Sequence, residues 1–560
     1  MAVPGDISGR KGRQGIASVP MAALLLLAIL APLAAVLAFA TADTGGLWAH
    51  LRATLLETYV VNSLMLVSGV VALAATLGVG LAWLVTMHDF PGRRLLEYAL
   101  ILPLAMPAYI LAYAWTDMLQ VTGPVQEMLR QMTGWSVRDY WFPEIRSLGG
   151  AIFVLSLALF PYLYLLARAA FAEQSASAIE AARTLGLSHL KAFRRVALPM
   201  ARPAIAAGAI LVGMETLADF GAVRYFDLEV FTTGIYRAWF ATGNPAAAAQ
   251  LASLMLACVL VAVIFERASR QGRRYAPVTG ARRRPARTAL KGARAIAATL
   301  ACSLPVLLGF LVPATALATM AFGASDGIDI SRLQALALNT FMLGIAAAAL
   351  LVGVAMGMAM LLGRRDSRLR QVARVAELGY ATPGIVVAIG LLVVAGTLDA
   401  QLRAAGILGS TGTGLLFSGS IAVLLYACLV RFFAVAYGPL DAAWLQMGTR
   451  YADPARTLGH RPASIFRRVD LPLMRGSMAA VMALVFVEVV KELPATMILR
   501  PFNFDTLATE AFQLATTERL DLAAVPALAI AAVGLVPVVL LCLGLERADA
   551  RLYRSEVSPR

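Results

Sequence analysis

EAARTLGLSHLKAFRRVALP, residues 180–199, returns as DPARTLGHRPASIFRRVDLP at residues 453–472, identical at 11 of 20 positions with a constant offset of 273 and no gap. Each copy lies between long apolar runs. A polar element has therefore been duplicated inside a chain that is otherwise built for lipid.

With 60% hydrophobic and 14% charged residues, and apolar runs of about twenty residues recurring along its length, most of the chain must lie in a bilayer. The reading is an all-α integral membrane protein of about twelve transmembrane helices, six per half. Spans are expected at 20–41, 59–86, 96–117, 148–171, 203–223 and 245–265, then at 295–321, 337–362, 374–396, 411–436, 476–497 and 523–545. Residues 1–285 form the first half, with its polar loop at about 173–202, and residues 286–560 the second, with its loop at about 441–475. The arginine-rich segment from Glu266 to Arg294 is the linker.

If Arg10, Lys11 and Arg13 are cytoplasmic, so are Arg93 and Arg94, both duplicated loops, the linker, the basic run at 363–374, and Arg547, Arg551, Arg554 and Arg560. The opposite loops are poorer in Lys and Arg, so charge and topology agree. Pro20 to Ala40 could be a secretory signal, with Ala38-Phe39-Ala40 as a cleavage site. The run is long for that role and eleven spans follow, so a retained first helix is expected. The net charge of +15 is explained by these loops, and nucleic-acid binding is not expected. Cys258, Cys302, Cys428 and Cys542 sit in apolar segments without paired or zinc-ligand spacing and read as small core residues.

The halves match beyond the loop. Asn62-Ser63 corresponds to Asn339-Thr340, Met106-Pro107 to Thr382-Pro383, and Glu215 and Asp219 to Glu488 and Glu492. Six spans per half give both copies the same orientation.

In the first loop, Ser177-Ala178-Ile179-Glu180 is a capping box that starts a short helix, and Gly186 suits a left-handed end to it. Ser188 then caps a second helix carrying Leu190, Phe193 and Val196, which Pro199 is expected to stop. In the second copy His460-Arg461-Pro462 follows Gly459, and proline suits a first helical turn. The product is a cytoplasmic elbow of two short helices, built twice. Periodicity alone would equally allow amphipathic connectors whose arginines meet lipid headgroups.

The spacing resembles the loop motif of importer permeases of the ATP-binding-cassette type: E-A-A, three residues, Gly, nine residues, an aliphatic residue, any residue, Leu-Pro. Glu180, Ala181, Ala182, Gly186, Val196, Leu198 and Pro199 match it. Ala455, Gly459, Val469, Leu471 and Pro472 match in the second copy, where Asp453 and Pro454 depart from it. The resemblance implies that each elbow docks in a groove of a separate cytoplasmic ATPase, with one two-in-one permease serving two ATPase copies. It also implies an extracytoplasmic solute-binding protein and a prokaryotic cytoplasmic (inner) membrane. No GxxxxGK[ST] loop occurs, so ATP is expected to be used by the partner and no cofactor or catalytic residue is expected on this chain. Pro454 is tolerable only in a first helical turn, so the second elbow is expected to start later and to couple less strongly.

A finer similarity rests on ETLADFGAVRYF (215–226), FTTGIYRAWF (231–240) and KELPATMILRPFNFDTLATEAF (491–512), which resemble the ferric-iron group of these importers. Permeases for thiamine, phosphonates and polyamines are near relatives of that group.

Glu215 and Asp219, four residues apart, are expected on one helical face, as are Glu488 and Glu492. At 1.5 Å per residue they lie about 18 and 24 Å along their span, in the outer half of a core about 30 Å thick. Four carboxylates at that depth either line a cation path or pair with Arg224, Lys491 or Arg500. His189 and His460 belong to the elbows, and His50 and His88 are isolated, so no stable metal site is expected. Tyr113, Trp115, Trp135 and Trp141 read as an interfacial belt. Gly78, Gly80, Gly353 and Gly357 read as close-packing positions. A proton-coupled secondary transporter would also show twelve spans in two halves, but its key residues would sit near the midplane. A scaffold without transport would need no elbows.

Overall fold

The computed structural model describes residues 8–173, 184–271, 287–323, 329–362, 378–406, 416–447, 452–458, 460 and 462–557. In hydrocarbon every backbone N–H and C=O must be satisfied within its own segment, so the apolar runs form helices. They are α1 (Ser8–Phe39), α2 (Leu56–Met87), α3 (Ala108–Leu119), α4 (Leu148–Glu173), α5 (Leu198–Ala218) and α6 (Pro245–Gln271). The second set is α7 (Ala293–Val306), α8 (Ile330–Leu362), α9 (Gly384–Ala404), α10 (Ile421–Met447), α11 (Leu471–Val490) and α12 (Leu520–Val557).

The described parts of the expected spans overlap apolar helices, and a count of twelve crossings is not confirmed. Among the described residues nine helices are long and apolar enough to cross a membrane. A tenth crossing results if Arg93–Ala105 and Ala108–Thr133, bent by 94°, act as one span; the apolar parts of α1 and α6, Ala23–Phe39 and Pro245–Val261, are shorter. The third span bends because Pro107 is extended (φ −57°, ψ 145°) and starts α3 afresh. Pro383 repeats this before α9 (φ −56°, ψ 139°). The Met106-Pro107 and Thr382-Pro383 correspondence is thus a repeated break in the third span.

The chain forms two compact units, each drawing on both sequence halves. One comprises Met1–Asp43, Asn244–Ser253 and Gln334–Thr506; the other comprises Thr44–Gly243, Leu254–Leu333 and Leu507–Arg560. In the first unit α1 lies against α9 and α10. The Tyr426 hydroxyl donates to the Ala28 carbonyl, and a Cβ on Gly390 would collide with the Pro32 backbone. In the second unit Trp115 Nε1 of α3 donates to the Leu308 carbonyl just after α7, at 3.2 Å. Gly534 of α12 lies against the Ala105 backbone. The first helix of each half therefore belongs to the unit built on the centre of the other half.

Two strands, β1 (His88–Asp89) and β2 (Thr288–Ala289), pair in parallel. They join the loop after α2 to the returning linker, which agrees with both lying on the cytoplasmic side. Three expectations need correction. Tyr113 and Trp115 are buried, and only Trp135 and Trp141 are exposed as a belt requires. Gly78 alone of the four glycines packs closely, with Leu163 Cβ 2.9 Å from where its own Cβ would be; Gly80, Gly353 and Gly357 have open space. Cys258 is exposed, not core.

Candidate functional site: coupling elbows and buried carboxylates

Glu180, Ala181, Ala182 and Gly459 lie outside the described residues. Gly186 has φ +82°, the left-handed corner its position demands. Beyond it, Ser188 Oγ accepts the Lys191 N–H at 3.5 Å, opening the helix His189–Ala192.

Pro199 does not stop this helix. Phe193–Ala197 form a π turn in which the Leu198 N–H reaches the Phe193 carbonyl, and α5 continues to Ala218. The second elbow repeats the arrangement: Pro462–Ile465, then a π turn over Phe466–Asp470 with the Leu471 N–H on the Phe466 carbonyl, then α11. A proline cannot donate to the carbonyl four residues back, and its ring crowds that carbonyl; the wider turn relieves both. The second helix of each elbow is thus continuous with the fifth span.

Phe193 anchors the first elbow, its ring 4.8 Å from Trp83 of α2 and 6.2 Å from Phe171 of α4. In the second elbow the first helix, Ala452–Thr457, carries Asp453 and accommodates Pro454 in its first turn. Ala455 packs with Ile465 and Val469 to close the two helices on each other. The His460 N–H bonds to the Ala455 carbonyl at 3.1 Å. Leu198, Pro199 and Leu471 are partly buried and Pro472 is exposed, while Arg194, Arg195, Arg467 and Arg468 are exposed.

The acidic pairs do not share helical faces as expected. α5 ends at Ala218 and Asp219 is extended (φ −63°, ψ 134°). Its Oδ1 accepts the N–H groups of Ala222 and Val223, each at 3.1 Å, and so caps the short helix Gly221–Tyr225. α11 ends at Val490, and Glu492 Oε1 accepts the Ala495 N–H at 3.0 Å, starting the helix Pro494–Leu499. A carboxylate that satisfies orphan N–H groups is more favourable there than one left on the side of an extended helix.

Of the three expected basic partners, Lys491 reaches Glu488 at 3.5 Å. Arg224 pairs instead with Asp227 at 3.1 Å, and Arg500 with Asp505. Glu492, 3% exposed, is held at 2.7 Å by Arg431 of α10. A Cβ on Gly384 would collide with Arg431 Nη1 and sit 2.8 Å from Glu492 Oε1, so this glycine makes room for the pair. At the position matching Arg431 the first half has buried Ala158. The two halves share the cap. Glu215 and Asp219 belong to one unit, Glu488 and Glu492 to the other.

Two further arrangements add contacts that the sequence motifs do not specify. Asn62 Nδ2 donates to the Glu229 carbonyl and Asn339 Nδ2 to the Asp505 carbonyl, both at 3.0 Å, so the matched asparagines clamp the loop after the broken fifth span in each half. Buried Glu97 accepts from Arg93 Nη1 at 2.6 Å and from Arg168 Nε at 2.9 Å, and the Tyr164 hydroxyl donates to the Glu97 carbonyl at 2.7 Å. This joins the loop after α2 to the end of α4, next to the first elbow. A lone Arg inside an apolar run, as in LLARAAF or CLVRFFA, is the sequence signal for such a buried pair. Among the described residues no group of three or more His, Cys, Asp or Glu could hold a metal ion.

The fold is all-α, with duplicated elbows continuous with membrane helices. The chain belongs to the family described as binding-protein-dependent transport system inner membrane component, whose profile matches residues 74–275 and 349–554. It is a multi-pass membrane permease subunit of an ATP-binding-cassette importer with two fused halves; ATP hydrolysis in this class resides on a separate subunit. That membership sets aside the secondary transporter and the scaffold.

The chain is 26% identical over 461 residues, 80% of its length and 82% of the relative's, to the Fe(3+)-transport system permease protein FbpB 2 of Haemophilus influenzae. It is 26% identical over 37% of its length to the molybdenum transport system permease protein ModB of Escherichia coli, of which 90% is covered. It is 31% identical over 35% of its length to the sulfate transport system permease protein CysT of Salmonella typhimurium, of which 71% is covered.

Proposed function

We propose that this permease imports ferric iron handed over by an extracytoplasmic binding protein, and that two copies of a cytoplasmic ATPase dock on its two elbows. The observation that carries the choice of solute is the extent of similarity: the Fe(3+) permease relative matches across both fused halves, whereas the molybdenum and sulfate relatives match little more than one third of the chain. The docking surface comprises Glu180, Ala181, Ala182, Gly186, Leu198 and Pro199 in the first half and Asp453, Ala455, Gly459, Leu471 and Pro472 in the second. The chain holds no cofactor; ATP is bound by the partner. Glu215, Asp219, Glu488 and Glu492 are the candidate residues of the translocation path.

Uptake of radiolabelled iron into proteoliposomes containing the permease, its ATPase and its binding protein tests the reading. ATP-dependent iron uptake, unaffected by excess molybdate or sulfate, is expected. A second reading, import of a tetrahedral oxyanion, is favoured by the molybdenum and sulfate relatives. Accumulation of labelled molybdate or sulfate with no iron uptake would replace the first reading by the second.

A further inference from the structure

Where β2 brings the returning linker alongside β1, the cytoplasmic end of α2 forms an open recess of about 620 Å³ lined by Asp89, Gly92, Arg93, Arg94, Leu95 and Arg287. The ladder fixes it: His88 pairs with Thr288 and Asp89 with Ala289, and the Leu290 N–H bonds to the Asp89 carbonyl at 2.9 Å. Thr299 Oγ1 of α7 adds a bond to the Pro91 carbonyl at 2.9 Å. Residues about 200 positions apart in sequence thereby place three guanidinium groups around one cavity.

Their charges are not equally available. Arg93 is buried and spends its donors on Glu97, Asp89 and the Val85 carbonyl. Arg94 is exposed and has no acidic partner among the described residues, and Arg287, also exposed, reaches the Thr86 carbonyl at 3.4 Å. Asp89 is the one carboxylate in the lining and already faces Arg93. With Arg93 held by Glu97 and Asp89, Arg94 supplies positive charge to the lining at the membrane boundary, and Arg287 stands in the same lining.

Its surroundings are apolar on the lipid side. Leu95, in the lining, is 75% exposed. Ile296, Leu300 and Leu304 recur every four residues on α7, hence along one face, and are all exposed. Cations beside an exposed aliphatic stripe match a molecule with an anionic head and an acyl tail. We propose that this recess binds the phosphate of an anionic phospholipid of the cytoplasmic leaflet, with Arg94 and Arg287 holding the head and Leu95 and the α7 stripe receiving the chain. A soluble phosphate compound would satisfy the arginines and leave the stripe unused. This assignment is independent of which solute is transported.

The test uses the full chain in nanodiscs of equal phosphatidylglycerol and phosphatidylethanolamine, counting retained lipids by native mass spectrometry. At about 1 kcal/mol per arginine near an anionic surface, the pair sets about a thirty-fold preference for phosphatidylglycerol. R94Q/R287Q is expected to abolish that preference. R94K/R287K, which keeps the charge and checks the fold, should retain most of it. L95Q should weaken retention of lipid without changing charge, and R194Q/R195Q in the elbow should leave the preference intact. Equal retention of the two lipids by the wild type, an unchanged preference in R94Q/R287Q, or release of the lipid by millimolar inorganic phosphate would overturn the proposal; the last result would assign the recess to free phosphate.

Discussion

Replacing Glu492 with Gln isolates the countercharge from the cap. The amide oxygen can still accept the Ala495 N–H, so the helix start survives and only the charge facing Arg431 disappears. The ion pair is 2.7 Å long with side-chain exposures of 3% and 14%. Unit charges about 4 Å apart attract by about 4 kcal/mol at an effective dielectric of about 20. Removing one member of a buried ion pair costs about 3–5 kcal/mol. Arg431→Met should cost a similar amount, because it strands Glu492 instead. The double variant R431M/E492Q removes both charges and keeps the volume, so its loss should fall well short of the sum of the singles, with a coupling of at least about 2 kcal/mol. Asp219→Asn, which keeps an oxygen to accept the Ala222 and Val223 N–H groups, should cost less than about 1 kcal/mol. The measurement is a double-mutant cycle on unfolding of purified protein in detergent, with ATP-driven uptake recorded in parallel. A loss under about 1 kcal/mol for E492Q, or additive losses in the double variant, would refute the argument that the pair is a structural countercharge.

Three other perturbations address separate features. Gly186→Val forces a β-branched residue to φ +82° and should lower ATPase-coupled transport by at least about tenfold while expression and membrane insertion persist; unchanged coupling would remove the corner's role. Gly384→Ala should destabilise by about 1–3 kcal/mol because its methyl displaces Arg431, and the same change in an R431M background should cost less than half as much in the same unfolding assay. Asn62→Ala and Asn339→Ala each remove one side-chain bond to a loop carbonyl, and each should cost about 1 kcal/mol; hydrogen exchange should rise at the 228–231 loop in the first and at the 504–507 loop in the second.

The sequence by itself determined the class of fold, the approximate position of each apolar helix and the duplication, because hydropathy and a gapless repeat at an offset of 273 are local properties of the chain. Gly186 was legible because a glycine after a helical run, with a capping serine beyond it, has few other uses. The Met-Pro and Thr-Pro positions were legible as repeats, but not as the places where the third spans break.

The tertiary structure decided everything that depends on neighbours distant in sequence. Nothing in the local pattern tells that α1 packs beside α9 or that the segment after α7 packs beside α3, since lipid-facing and helix-facing apolar residues look alike. Periodicity placed Glu215 with Asp219 and Glu488 with Glu492, whereas the helices end early and the outer acids turn to cap the short helices Gly221–Tyr225 and Pro494–Leu499. The choice of Arg431 as partner for Glu492, across 61 residues, was set by where α10 and the Gly384 gap bring charge within reach. A buried charge takes whichever partner the packing supplies, and only the packed chain shows which one that is.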